Sequence, residues 1–310
     1  MSHKRHNPPP LPADEVHAWA VPLGVSPESS DKSQEPSNSL ALDSRLSTLD
    51  SHERERATRF TRDDLRRRFV VAHTALRTIL GHYLGIEPGE VQFHYGPHGK
   101  PRLAEAGSEG HGAGSTERRE SSYSLLPAPC SLHFNLAHSG DVAVVAVTRG
   151  GEIGVDVERL RQVRRLEQLA RRYFTATEAA AIMSVDEPDR DAQFLAVWTA
   201  KEAILKAMGT GLSYPLQSFS VSPAVDRQWV RLSRTPRGKA DGGGGKEETI
   251  GFDADVPPSP FPLPPSRWWL ARVDVASGYL AAVATDSQKS LRPTFRYPGD
   301  LRGDQSAIIC

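Results

Sequence analysis

The stretch "VWTAKEAILKAMGTG", residues 197–211, constrains the fold most, because it is helical in period, apolar on nearly every side and still carries charge. At about 100° per residue, Phe194, Val197, Trp198, Ile204, Leu205 and Met208 share one broad arc, and Lys201 and Glu202 fall inside it. The opposite arc is small, made of Ala196, Thr199, Ala200, Ala203 and Ala207. Such a helix belongs inside the protein, with a second element packed closely on its alanine face. Charges placed there need a partner.

A chain of 310 residues has room for one large domain or two modest ones around a sizeable core. Lys and Arg together number 38, as do Asp and Glu, so no overall basic excess draws the chain to nucleic acid or anionic lipid. Any anion site must be local. Only Cys130 and Cys310 are present, which excludes a disulfide scaffold and a multi-cysteine zinc site and suits a reducing compartment. The longest apolar run, 142–147, is a strand's length, and the polar opening "MSHKRHNPPPLP" lacks the apolar core of a secretory signal. The expectation is a cytoplasmic protein that does not enter the membrane.

Composition also marks where order stops. Residues 1–12 and 288–310 read as a disordered and a flexible tail, and 104–129 and 234–265 as Gly- and Ser-rich loop insertions with structured signal resuming on both sides. Between them, 13–149 and 150–287 form two lobes. "DDLRRRFVVAHTALRTILGHYLG" has helical spacing from Asp63 to Leu84, with Gly85 as the stop. "EVQFHYG" follows as a strand, "SLHFNLA" and "DVAVVAVT" are strands around the turn at 138–140, and "IGVDVE" is a further strand. The helix over 189–208, a strand in "LQSFSV", and a hairpin of "WWLARVD" with "YLAAVAT" complete the set. "RFTRDD", long helix, Gly85, strand is echoed by "YFTATE", long helix, Gly209, strand. The fold expected is therefore α+β, with two similar lobes side by side and a ligand site at their interface.

Alternation in "IGVDVE" puts Ile153, Val155 and Val157 on one face and Asp156 and Glu158 together on the other. Two such carboxylates reach one hard cation, at about 2.0–2.1 Å for Mg²⁺, or else they mark the solvated face of a sheet. Glu202 favours the cation, since a third carboxylate inside an apolar arc needs positive charge. Glu202 and Lys206 also have the spacing of an ordinary surface ion pair, but Glu202 lies between Trp198 and Leu195 on the wheel. Lys201 is expected to run its stem along the core and surface its amine. Three acids, one metal and nearby lysines equip a site for phosphoryl chemistry, where positioning and charge neutralisation do most of the catalysis. "GPHGKPRL" offers Lys100 on a loop stiffened by Gly99 and Pro101, "NLAHSGD" offers His138 at a tight turn, and the first long helix offers Arg66, Arg67, Arg68 and Arg77. Together they suit a ligand with several phosphates.

"GKPRL", "FNLAHSGD", "IGVDVE", "FTATE" and "WTAKEAILKAMGTGL", in this order and spacing, resemble the Sfp-type 4′-phosphopantetheinyl transferases over roughly residues 40–285. The resemblance implies two pseudo-symmetric lobes, each a small, mainly antiparallel sheet packed with a long helix, with the active site in the cleft between them. It implies coenzyme A as co-substrate, Mg²⁺ as cofactor, and transfer of phosphopantetheine to a serine of an acyl or peptidyl carrier protein with release of adenosine 3′,5′-bisphosphate. The reaction is of holo-acyl-carrier-protein synthase type and serves fatty acid, polyketide, nonribosomal peptide or lysine biosynthesis. By the same similarity Asp156, Glu158 and Glu202 hold the metal, and Lys206 lies beside the reacting phosphate. Lys100, Pro101, His138, Arg56 and Lys201 bind coenzyme A, with Arg68 near the adenine end. Arg54 is a further phosphate candidate, Glu178 a second candidate base after Glu202, and Ala137 stands where the family often has serine. A monomer suffices for such a site. Two rival functions share these residues: a Mg²⁺-dependent nuclease, disfavoured by the balanced charge, and a non-catalytic coenzyme A or carrier-protein scaffold, disfavoured by the full set of acids and lysines.

Overall fold

The apolar periods of the sequence become elements in the following order. Strand β1 (Glu15–Pro22) precedes helix α1 (Ser51–Thr58) and the long helix α2 (Asp63–Leu84), and the short strands β2 (Phe93–Tyr95) and β3 (Pro101–Leu103) follow. The hairpin of β4 (His133–Ser139) and β5 (Val142–Thr148) leads into β6 (Ile153–Arg159). Helices α3 (Leu166–Tyr173), α4 (Ala176–Ser184) and α5 (Glu187–Met208) come next. Strands β7 (Arg227–Arg231), β8 (Arg267–Val273), β9 (Tyr279–Thr285) and β10 (Arg292–Arg296) close the order. The structure, a computed structural model, describes residues 11–24, 44–96, 98–104, 132–222, 226–232, 267–287 and 292–296. The expected insertions but for residue 104, and the tails but for 11–12 and 292–296, lie outside them.

Both long helices stop where glycine permits a left-handed turn. Gly85 has φ 69° and Gly209 φ 71°, each donating its N–H back into the last helical turn. Helix α5 starts two residues earlier than its apolar period, because Pro188 fits the first turn, where no N–H is required.

The strands form two four-stranded sheets, ordered β10-β1-β5-β4 and β6-β9-β8-β7, with β2 and β3 as a separate pair. Helix α2 covers the outer face of the first sheet, its Leu76, Ile79 and Leu80 buried with Trp19, Phe134 and Val145. Helix α5 covers the outer face of the second, with Ile204 and Leu205 buried among Leu270, Ala282 and Ala284. The inner faces meet through Ala18, Val144 and Ala146 of one sheet and Val155, Ala271 and Val283 of the other. The result is the α+β architecture expected, layered helix, sheet, sheet, helix. Edge strands β4 and β6 lie side by side without a backbone ladder. Val155 N–H donates to Asn135 Oδ1 at 2.9 Å and Arg159 N–H to Ser139 Oγ at 3.1 Å, an equal offset that makes the strands run in the same direction. Among the described residues, no helix is long and apolar enough to cross a membrane.

Two expectations need correction. "LQSFSV" is not a ladder strand but a 3₁₀ turn, Leu216–Ser218, running into extended chain. The carbonyls of Leu216 and Phe219 bond the Lys201 ammonium at 2.7 and 2.5 Å, and Val221 N–H bonds Glu178 at 2.7 Å. A buried ion pair has thus taken the place of a neighbouring strand, and the internal echo ends at Gly209. The tail expected at 288–310 also contains β10, which pairs in parallel with β1 from Glu15↔Arg292 to Trp19↔Arg296. Its docking satisfies backbone groups that β1 would otherwise present as an open edge. The second half of the chain thereby returns to the first sheet, across the boundary expected at 149/150.

The alanine face of α5 packs on β6 at Gly154. A Cβ there would stand 2.1 Å from the Ala203 carbonyl oxygen and 2.2 Å from the Ala207 nitrogen, both backbone atoms that cannot swing aside. We expect Gly154→Ala to lower stability by about 3 kcal/mol or more in urea unfolding, the upper end of overpacking costs. An unchanged midpoint would show that the helix does not lie this close.

Candidate active site

Residues 154, 156 and 158 of β6 share the face that meets α5, so the contact at Gly154 sets the acidic pair beside the last turns of that helix. Asp156 is only 6% exposed. Its Oδ1 accepts from Lys206 Nζ at 2.7 Å, while Oδ2 is buried with no hydrogen-bond partner. Burial pushes the Asp156 carboxyl up to about 6; Lys206 opposes this, and the negative charges of Glu158 and Glu202 add to it. Glu202, half-buried one helical turn before Lys206, is raised by burial and by Glu158, with Lys206 again opposing. Glu158 accepts from Arg161 at 2.8 Å and from Ser139 Oγ at 3.1 Å.

The two bland readings of these acids therefore fail. Strand β6 is buried on both faces up to Val157 and is no solvated sheet surface. Lys206 turns to Asp156 across the gap between elements, not to Glu202 along its own helix. Among the described residues, no group of three or more His, Cys, Asp or Glu side chains is set to hold a metal ion. Asp156 is occupied by Lys206 and Glu158 by Arg161, each carboxylate taking the nearest cation for its charge.

A cationic cluster adjoins the acids. His138 is exposed on β4 yet held below the ordinary histidine pKa, first by partial desolvation and then by Lys206, His73, Arg56 and Arg68. Helices α5, α2 and α1 thus all bring positive charge to one side chain. Arg68 is anchored to Asp141 Oδ1 at 2.8 Å in the β4–β5 turn, and the exposed Arg56 lies over the Phe69 ring at 5.4 Å. His73 was not among the sequence candidates. Its one signal is its position a helical turn after Phe69, which in sequence marks nothing beyond a helix face.

Other candidates lie elsewhere. Lys201 does not surface its amine: it is wholly buried, and its three donors meet Glu178 at 2.9 Å and the carbonyls of Leu216 and Phe219. Glu178 is the helix-start acid, capping α4 with Thr175 while holding Lys201 and the Val221 N–H, so both its oxygens are engaged in structure. Lys100 Nζ is likewise engaged, with Glu152 at 2.8 Å, the Ala207 carbonyl at 2.8 Å and the Ile153 carbonyl at 3.1 Å. It clamps the end of α5 to the start of β6, with Pro101 pairing Tyr95 beside it. Arg77 is buried against Glu53, Asp50 and the Val91 carbonyl. Ala137 turns into the core between the sheets.

Residues 34–150 match the family described as 4′-phosphopantetheinyl transferase, N-terminal, and residues 152–241 the 4′-phosphopantetheinyl transferase superfamily. The 4′-phosphopantetheinyl transferase HetI of Nostoc sp. is 38% identical over 203 residues, 66% of this chain and 72% of the relative. A putative 4′-phosphopantetheinyl transferase, slr0495 of Synechocystis sp., is 36% identical over 165 residues, 53% of this chain and 58% of the relative. The 4′-phosphopantetheinyl transferase Sfp of Bacillus subtilis is 26% identical over 183 residues, covering 59% and 70% respectively. With acids and cations gathered at the meeting of β4, β6 and α5, and with relatives of this similarity, the chain belongs to the 4′-phosphopantetheinyl transferase superfamily.

Proposed function

We propose that Asp156, Glu158, Glu202 and Lys206 carry phosphoryl transfer in this chain, and that His138, Arg56 and Arg68 receive the phosphates of coenzyme A. As a member of its family the chain transfers the 4′-phosphopantetheine arm of coenzyme A to carrier proteins. The finer reading is that it converts apo acyl or peptidyl carrier proteins to the holo form at a serine hydroxyl. The hydrolase and scaffold alternatives find no support among the matches.

One observation carries the reading: a buried carboxylate, Asp156, with an unpartnered oxygen and two further acids near enough to raise its pKa. That donor set fits a hard divalent ion such as Mg²⁺, for which Asp156, Glu158 and Glu202 are the oxygen ligands available. Bound there, the ion would offset phosphate charge and align the diphosphate. Lys206, on the same side as Asp156, neutralises charge gathering on the transferred phosphate and the leaving group. Glu202 accepts the serine proton; its raised pKa makes it a better acceptor near neutrality than an ordinary carboxylate. The cations around His138 hold the nucleotide end, so that the pantetheine arm points away toward the carrier.

Mass spectrometry of an apo carrier protein incubated with this chain, coenzyme A and Mg²⁺ should show the gain of one phosphopantetheine arm. Glu202→Gln and Asp156→Ala should stay folded and lose about 10²-fold or more in rate. Full turnover by a folded Asp156→Ala would remove the assignment.

The raised Asp156 pKa has a second consequence. The folded state keeps a proton that the unfolded chain, at its ordinary carboxylate pKa, has released. In metal-free buffer this group therefore costs nothing below pH about 4, and its cost grows as pH rises through about 6, to on the order of 3 kcal/mol. The stability difference between wild type and Asp156→Asn should shift in favour of the variant over that window, and added Mg²⁺ should stabilise the wild type alone at pH 7. A difference that stays flat from pH 4 to 7 would mean that Asp156 is not strained by burial.

A further inference from the structure

Glu53 is a carboxylate only 1% exposed beneath the cationic cluster. Its Oε2 takes Arg77 Nε at 2.6 Å and the Asp50 N–H at 3.1 Å, and its Oε1 takes His73 Nδ1 at 2.7 Å. Burial works against its ionisation, but His73, Arg77 and the Asp50 N–H overcome burial and hold its carboxyl below the usual range. An ionised carboxylate only accepts, so Nδ1 of His73 must carry the proton. The imidazole is thereby fixed in orientation, and Nε2 is left without a hydrogen bond among the described residues.

Arg77 spends its donors inside the network, on Glu53, Asp50 and the Val91 carbonyl. His73 does not. Its side chain is 19% exposed, and its ring lies on Phe69 with centroids 4.0 Å apart, the same ring that carries Arg56. It is one of the positive neighbours acting on His138, with Arg56 and Arg68. Lys206 links this cluster to Asp156, whose own charged neighbours are otherwise Glu158 and Glu202. Lys206 thus acts on both groups, bonding Asp156 at 2.7 Å and lowering His138 by its charge. A diphosphate belongs with the acids and their ion, and a phosphate monoester with the histidines. A monoester's second ionisation, near pH 6, also lies close to that of imidazole.

We propose that His73, oriented by buried Glu53, is a specificity-determining contact for the 3′-phosphate of coenzyme A, its Nε2–H donating to a phosphate oxygen. Glu53 is the positioning residue, holding the ring by Nδ1 so that a phosphate at Nε2 completes an imidazolium between two anions. This inference rests on coenzyme A being the ligand of the site. It adds a recognition element on α2 to the residues the sequence motifs suggested.

Calorimetric titration of the full chain with coenzyme A and with 3′-dephospho-coenzyme A tests it, using wild type, His73→Ala and His73→Gln. The glutamine amide keeps a donor for Glu53 while removing the ring nitrogen and its charge. Wild type should prefer coenzyme A. Both variants should lose about tenfold or more of their affinity for coenzyme A and none for the dephospho form, which is the loss of one charge-assisted hydrogen bond to one phosphate. Equal weakening of both ligands would make His73 a purely structural member of the Glu53 network, and unchanged preference would free it of any role; either result overturns the proposal. A wild type that binds neither ligand would instead overturn the functional reading beneath it.

Discussion

The contact between Gly154 and the backbone of α5 is the constraint on which the site depends. A strand and a helix ordinarily keep side chains between them. Here the missing Cβ lets the strand approach Ala203 and Ala207 directly. With that distance set, strand alternation delivers Asp156 and Glu158 to the helix, and the helical period delivers Glu202 and Lys206 to the strand. Lys100 closes the same junction from a third direction, binding the Ala207 carbonyl at the helix end and the Ile153 carbonyl at the strand start.

Charge inside this protein falls into two kinds. Lys201 with Glu178 and Arg77 with Glu53 are buried pairs, and Lys100 with Glu152 a half-buried one, whose donors are taken up by carboxylates and carbonyls. Breaking one partner leaves an uncompensated charge, so they lock elements together and leave nothing over for a ligand. Asp156, Glu202 and His138 are different: each is shifted in pKa first by burial and then by neighbouring charges, and Asp156 keeps one oxygen without a partner. That imbalance separates a working site from a structural one. His73 stands between the two kinds, with one ring nitrogen in the buried network and the other without a hydrogen bond among the described residues.

The partition also explains which site residues could be read in advance. The motif around Lys201, Glu202 and Lys206 shows three charges on one helix, but only the fold decides where each goes. Lys201 points to the carbonyls of 216 and 219 and becomes structural, whereas Lys206, five positions later, reaches Asp156. Glu178 and Lys100 were drawn into structural pairs in the same manner. His73 was invisible because its meaning comes from Glu53 on another helix, twenty positions away.

Local sequence was sufficient for the elements themselves. The helix from Asp63 to Leu84 with its glycine stop, the strand alternation in "IGVDVE" and the small face of α5 are short-range patterns, set by period, by side-chain size and by the conformations glycine allows. Tertiary structure alone decided the rest. That 216–218 turns instead of pairing, that β10 returns to β1, and that one lysine is buried while another faces the acids all depend on which distant groups satisfy a charge or a backbone edge. Hydrogen bonds and ion pairs act over a few ångströms between residues far apart in the chain, so a pattern read along the sequence holds no record of them until the elements are packed.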